Sequence, residues 1–217
     1  MSTPTNAFAG SIPDNYDRYL GPLLFEPYAL DLAARIDPQQ ARSVLEMACG
    51  TGRLTKHLKK RLSPDVRLLA TDLNPDMINT AKATLEDNTI EWQTADAQAL
   101  PFPDNTFDLV VCQFGLMFVP DKPKAFAEAF RVLKDDGIFL FNTWDKVQSN
   151  SFMHTGMEVL AGLLTDKPPK FFEVPFSMHD EQKLAAFCTH AGFRNSQIEL
   201  VKKESGKRKL FRVMAPG

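Results

Sequence analysis

Val44-Leu45-Glu46-Met47-Ala48-Cys49-Gly50-Thr51-Gly52-Arg53-Leu54 is the stretch that decides the fold. A short apolar run ends at an acidic residue, two glycines follow one residue apart, and a helical pattern then begins. This reads as a strand, a tight turn and a helix N-terminus. Near Gly50 and Gly52 no side chain keeps a ligand from the backbone. The helix start adds free N–H groups and positive dipole potential for a negatively charged ligand group. Glu46, at the strand end, suits a cationic or hydroxyl-bearing group instead.

Two ligand classes use such a turn. A dinucleotide site usually reads G-x-G-x-x-G, the third glycine serving close helix–strand packing. Thr55 occupies that third position here. Glu46, four residues before Gly50, would repel a pyrophosphate and attract an amino-acid ammonium. The turn therefore favours S-adenosylmethionine, which combines an adenosine, a sulfonium and an amino-acid end. A nicotinamide-dependent oxidoreductase is the alternative, because Asp72, 20 residues after Gly52, would bind ribose hydroxyls in either case.

The order E-M-A-C-G-T-G, then Asp72, then Asp96-Ala97, resembles the class I S-adenosylmethionine-dependent methyltransferases. Phe114-Gly115-Leu116-Met117-Phe118-Val119-Pro120-Asp121, with Arg131-Val132-Leu133-Lys134 and Gly137, is similar to their ubiquinone/menaquinone-biosynthesis branch (methyltransferase type 11). The resemblance covers residues 40–145 well and the remainder in pattern only. It implies a Rossmann-like, seven-stranded, mostly parallel sheet with an antiparallel C-terminal strand and helices on both faces. It implies S-adenosyl-L-methionine as cofactor, with Glu46, Ala48 and Gln113 around the amino-acid end and Gly50 and Gly52 admitting the ligand. Asp72 then takes the ribose, Asp96 and Ala97 the adenine, and Leu73, Met77 and Phe114 line the site. Met77 reads equally well as core, and Asp96 as a turn cap. Implied too is a small, partly apolar methyl acceptor, methylated at carbon or oxygen. The Asn/Asp-Pro-Pro-Tyr/Phe motif common among nitrogen methyltransferases is missing after Gln113. A non-catalytic protein that binds S-adenosylmethionine keeps the same motifs and stands as a further alternative.

The 217 residues fit one α/β domain. They divide into an N-terminal helical cap (1–36), a cofactor-binding core (40–143), an aromatic and Pro-rich segment (144–179) that is either a lid over the acceptor or a structural cover with its own small core, and a last helix with a terminal hairpin (180–217). A net charge of −2 gives no electrostatic footprint for nucleic acid. Three widely spaced cysteines give neither a disulfide framework nor a zinc pattern. With no signal pattern and no run long enough for a membrane span, the expected location is cytoplasmic. Oligomeric state is not legible.

Along the chain, Tyr28, Leu32 and Ile36 recur as a core stripe on the N-terminal helix. Tyr16 and Tyr19, before Gly21-Pro22, either pack that helix or close over the ligands. Helices are predicted over Arg53–Leu62, Pro75–Leu85, Pro123–Lys134, Met153–Leu164 and Asp180–Ala191. Strands are predicted over Ser43–Met47, Arg67–Ala70, Thr89–Thr94, Phe107–Cys112, Ile138–Thr143, Ser196–Lys202 and Lys209–Met214. Gly137 is expected to stop the helix before it. Glu204-Ser205-Gly206-Lys207 is expected to connect the hairpin. His57 reads as a surface residue. No catalytic residue is legible; His154 is a weak candidate base because it shows no carboxylate partner in the sequence.

Overall fold

The computed structural model describes residues 21–22, 24–163, 173–203 and 206–214. Tyr16, Tyr19 and residues 164–172 of the expected lid lie outside them. The elements run α1 (Glu26–Ala34), β1 (Ser43–Met47), α2 (Arg53–Arg61), β2 (Arg67–Asp72), α3 (Pro75–Leu85), β3 (Ile90–Thr94) and β4 (Phe107–Gln113). They continue with a short 3-10 turn (Leu116–Phe118), α4 (Lys122–Val132), β5 (Leu133–Trp144), α5 (Ser151–Leu163), α6 (Glu181–Ala191), β6 (Arg194–Lys203) and β7 (Gly206–Met214).

Strands β1 to β5 are parallel, with helices crossing over between β1 and β2, β2 and β3, and β4 and β5. The sheet is ordered β3-β2-β1-β4-β5-β7-β6. β7 pairs antiparallel with both β5 and β6, so the terminal hairpin extends the parallel part. Chain order reverses between β1 and β4, where a doubly wound sheet opens a crevice at the carboxyl ends of its strands. The middles of the central strands are apolar: Val44, Leu45, Val110, Val111, Phe139 and Phe141 are fully buried. At the opposite end of the sheet Asp108 accepts from the Arg42 and Ser43 backbone N–H groups, the Ser43 hydroxyl and Lys134 Nζ, joining β1, β4 and β5.

Local signals set most boundaries. Asn74 accepts from Asp76 N and Pro75 opens α3. Asp121 and Asp180 cap α4 and α6 in the same way. Gly192, at φ 106°, ends α6. Tyr28, Leu32 and Ile36 are buried, as the stripe predicts. α4, however, stops at Val132, before Gly137. Asp136, not Gly137, takes the left-handed conformation, at φ 62°. β5 begins at Leu133 and carries a bulge, pairing Leu133 with Phe107 and Ile138 with Leu109. Gly137 is required there because a Cβ would lie 2.8 Å from the Lys134 carbonyl oxygen. Gly206 and Lys207, expected in the hairpin turn, lie in β7, and Gly206 pairs with Lys203.

His57 is another correction. Its side chain is buried, and Nε2 lies 2.8 Å from Glu26 Oε1. Arg53 Nη1 donates to Glu26 Oε2 at 2.7 Å. A residue flanked by lysines on α2 thus anchors α1, because α1 covers that face of the helix. The sequence around His57 could not show which face α1 would cover.

Candidate functional site

The strand ends at the switch point bring the expected residues to one edge. Two turns dominate it, one after β1 and one after β4. Both begin with a non-glycine residue in the left-handed region: Ala48 at φ 52° and Phe114 at φ 51°. Such backbone is costly away from glycine and gathers at functional sites.

In the first turn the two glycines have different tasks. Gly50, at φ 56°, has no heavy atom within 4 Å of where a Cβ would stand. It faces open space and leaves the backbone accessible. Gly52, at φ 81°, would place a Cβ 3.0 Å from the Ala81 methyl and 3.1 Å from Leu85 Cδ1. Its task is to let α2 approach α3, so it does not clear the ligand site directly. That is the packing role of the third glycine in a dinucleotide motif, which explains why Thr55 is tolerated in that position.

Asp72 ends β2 and holds the turn. Its Oδ2 accepts from Gly50 N and its Oδ1 from Asn74 N, each at 2.9 Å. Burial pushes this carboxyl up, against the N–H groups of Asn74, Gly50 and Leu73, which favour the charged form. Glu46 lies beneath the turn with 1% of its surface exposed. Its Oε2 has no hydrogen-bond partner, and neither has the buried Thr55 hydroxyl. Burial pushes the Glu46 carboxyl up to about 8; Thr55 pulls it down and the Asp72 charge raises it further. Buried polar atoms are almost always paired in folded proteins. Two orphaned ones beside an open glycine turn fit an incoming polar group, and a cationic one best. The ammonium of S-adenosylmethionine has that character.

The neighbouring positions are mixed. Leu73 is 49% exposed, whereas Met77 is buried. Asp96 accepts from Gln98 N at 2.8 Å and from Gln98 Nε2, so it caps its own turn while Ala97 leaves the space beside it small. Gln113 donates from Nε2 to the Phe25 carbonyl oxygen at 2.9 Å, which commits its side chain to the start of α1. Cys49 and Cys112 are buried free thiols, and burial pushes Cys112 up to about 12. They are poor nucleophiles. His154, half-buried on α5, stands 3.7 Å from Glu158, a partner the sequence reading overlooked. Among the described residues no hydrogen bond or ion pair joins His154 to either turn.

The second turn is packed in aromatic rings. Phe114 stacks on Trp144 with centroids 4.3 Å apart and planes 13° apart. Phe25 and Tyr28 of the α1 region meet both rings edge-on, and Phe176 reaches Trp144. Asn142 Oδ1 accepts from Phe114 N at 3.0 Å and pins the strained backbone. Trp144, Asn142 and Phe25 were missed in the sequence, which does not show the register that sets Asn142 opposite Gln113. A separate cavity of about 250 Å³ lies at the opposite edge of the sheet, beside Arg131 and Lys134. Arg131 is there committed to Glu128, Asp104 and two carbonyl oxygens. Among the described residues no metal-binding cluster and no membrane-spanning helix occurs.

A mostly parallel Rossmann-like sheet, with an acidic residue leading into an open glycine turn at the switch point, defines the α/β methyltransferase class. Residues 45–141 match the family model described as a methyltransferase domain. The chain is 32% identical over 173 residues to the ubiquinone/menaquinone biosynthesis C-methyltransferase UbiE of Cronobacter sakazakii, covering 72% of this chain and 68% of that protein. It is 39% identical over 115 residues to UbiE of Saccharophagus degradans, covering 51% of this chain and 46% of that protein. The chain therefore spans between about half and two thirds of the length of these relatives. A solved S-adenosylmethionine-dependent methyltransferase of Thermotoga maritima superposes with a TM-score of 0.68 at 20% identity, covering 93% and 94% of the two chains. The chain belongs to the S-adenosylmethionine-dependent methyltransferase family, in its UbiE branch. The nicotinamide alternative finds no support among these relatives.

Proposed function

We propose that this protein transfers a methyl group from S-adenosyl-L-methionine to a small, partly apolar acceptor at carbon or oxygen. The open space at Gly50, with the unpartnered Glu46 Oε2 buried beneath the same turn, carries the reading. Glu46 and the backbone at Ala48 and Gln113 would hold the amino-acid end. Asp72 would take the ribose with the lone pairs that Gly50 N and Asn74 N leave free. Leu73, Met77, Asp96 and Ala97 would surround the adenine. The cofactor brings its methyl group already activated on sulfur. The protein's share is then to orient the acceptor and keep water out.

The aromatic cluster around Phe114 and Trp144 suits a flat apolar acceptor. The similar proteins named as ubiquinone/menaquinone C-methyltransferases favour an aromatic ring carbon. α5 and the other described residues between 144 and 179 would cover that acceptor as a lid. The cytoplasm suits the three free cysteines.

Gly50→Arg, which fills the open space, and Asp72→Ala each test the site by calorimetry. A loss of about hundredfold or more in cofactor affinity with the fold retained supports the reading. Unchanged affinity in both variants contradicts it.

A further inference from the structure

Thr55 has no task in the fold that its hydroxyl explains. It is fully buried on the first turn of α2, and Oγ1 makes no well-formed hydrogen bond, although it lies close enough to Glu46 to pull that carboxyl down. The only other described polar side chain in that state near the turn is Glu46, on which Thr55 acts directly. Among the described residues, the groups that act on Glu46 supply no positive charge: Asp72 acts on it from β2, and the buried thiols of Cys49 and Cys112 feel its charge from the turn and from β4. A carboxylate would be doubly disfavoured there, by desolvation and by Asp72. An entering ammonium reverses both terms, and a hydroxyl free to rotate then donates to the carboxylate it creates.

We propose that Thr55 is a positioning residue for Glu46, and that the two form a proton-linked receptor in which binding of the cofactor's ammonium releases the Glu46 proton to solvent. This rests on the cofactor reading above and adds a regulation of the same site. The proton leaves the carboxyl for buffer. The ammonium and carboxylate remain as a pair, and the Thr55 O–H completes the carboxylate's hydrogen bonding. Cofactor affinity then rises with pH, by up to about tenfold per pH unit, until Glu46 ionises unaided near 8. Thr55 thereby becomes a determinant of cofactor class. The residue in place of a packing glycine recognises a cation where a dinucleotide site recognises phosphate.

The test is calorimetric titration with S-adenosylhomocysteine, which keeps the ammonium, at pH 6.5 in two buffers of different ionisation enthalpy. The difference in heats counts the protons released. About one proton is expected for the wild-type chain and none for Glu46→Gln, whose heats serve as the control for any proton exchanged by the ligand's own amine. Thr55→Val should bind roughly tenfold more weakly and still release a proton, and Thr55→Ser should restore affinity. Because Thr55→Val deletes an unpaired hydroxyl, it tests the pair even if Glu46→Gln fails to fold. Wild-type binding with equal heats in both buffers overturns this proposal and leaves the cofactor reading standing. Wild-type affinity in Thr55→Val overturns the role of Thr55. Absence of S-adenosylhomocysteine binding at every pH overturns the cofactor reading and this proposal with it.

Discussion

The turn after β1 and the turn after β4 sit side by side on the same sheet edge, and both open with a strained residue, Ala48 and Phe114. Around the first, polar groups are left wanting: Glu46 Oε2 and the Thr55 hydroxyl are buried without a well-formed hydrogen bond, and Gly50 faces open space. Around the second, little is left open: Phe114 is stacked on Trp144, edged by Phe25 and Tyr28, and its N–H is held by Asn142. The same backbone device thus serves two ends. An underpaired turn keeps stability in reserve for a ligand, and a saturated turn fixes the wall against which the ligand is placed.

Four changes would break or sharpen that contrast. Trp144→Ala removes the ring on which Phe114, Phe25, Tyr28 and Phe176 converge. It should cost about 3–5 kcal/mol by denaturant titration; a loss under about 1 kcal/mol would mean that the second turn is not held by its rings.

Gly115→Ala comes next, at about 1–3 kcal/mol. Its new Cβ would stand 2.4 Å from the Ala48 methyl and 2.9 Å from Cys112 Sγ. The two turns touch through this contact, so the double variant Ala48→Gly, Gly115→Ala should recover part of the loss. Additive effects in the double-mutant cycle would show that the turns are independent.

The third prediction concerns pH. Glu46 is raised by burial to about 8 in the folded protein, above its unfolded value. The folded state therefore binds more protons between those two values. Without cofactor, stability should fall as pH rises through that window, by at most about 1.4 kcal/mol per pH unit. Above 8 this contribution is constant. Thermal melts of the wild type and Glu46→Gln at pH 5.5 to 8 check it: the variant should lose the slope, and equal slopes would place the titration elsewhere.

The smallest effect is expected from Ala48→Gly alone. Glycine relieves the left-handed strain but adds freedom to the unfolded chain, leaving a gain below about 1 kcal/mol. A clear loss would show that the Ala48 methyl matters more to the contact between the turns than its backbone strain costs.

How much of this was legible follows the same division. The strand–turn–helix at Glu46–Leu54, the carboxylate at Asp72 and the cap at Asn74 act within a few residues, and their chemistry could be read in order. Two things could not. Gly52 looked like a ligand glycine, because its neighbours Ala81 and Leu85 arrive from α3. His57 looked exposed, because Glu26 arrives from α1. The aromatic wall was half legible: Phe114 was visible as a residue leaving a central strand, but Trp144 joins it only through the register of β5 with β4. Gly137 marked a break correctly and its cause wrongly, since the break is a bulge within β5.

The central claim is the class of ligand at the first turn, and binding calorimetry tests it most directly. Purified protein titrated with S-adenosylmethionine, S-adenosylhomocysteine and NADH should bind the first two at micromolar concentration, a free energy of about −8 kcal/mol, and give no heat with the third. Binding of NADH, or silence from all three, would contradict it.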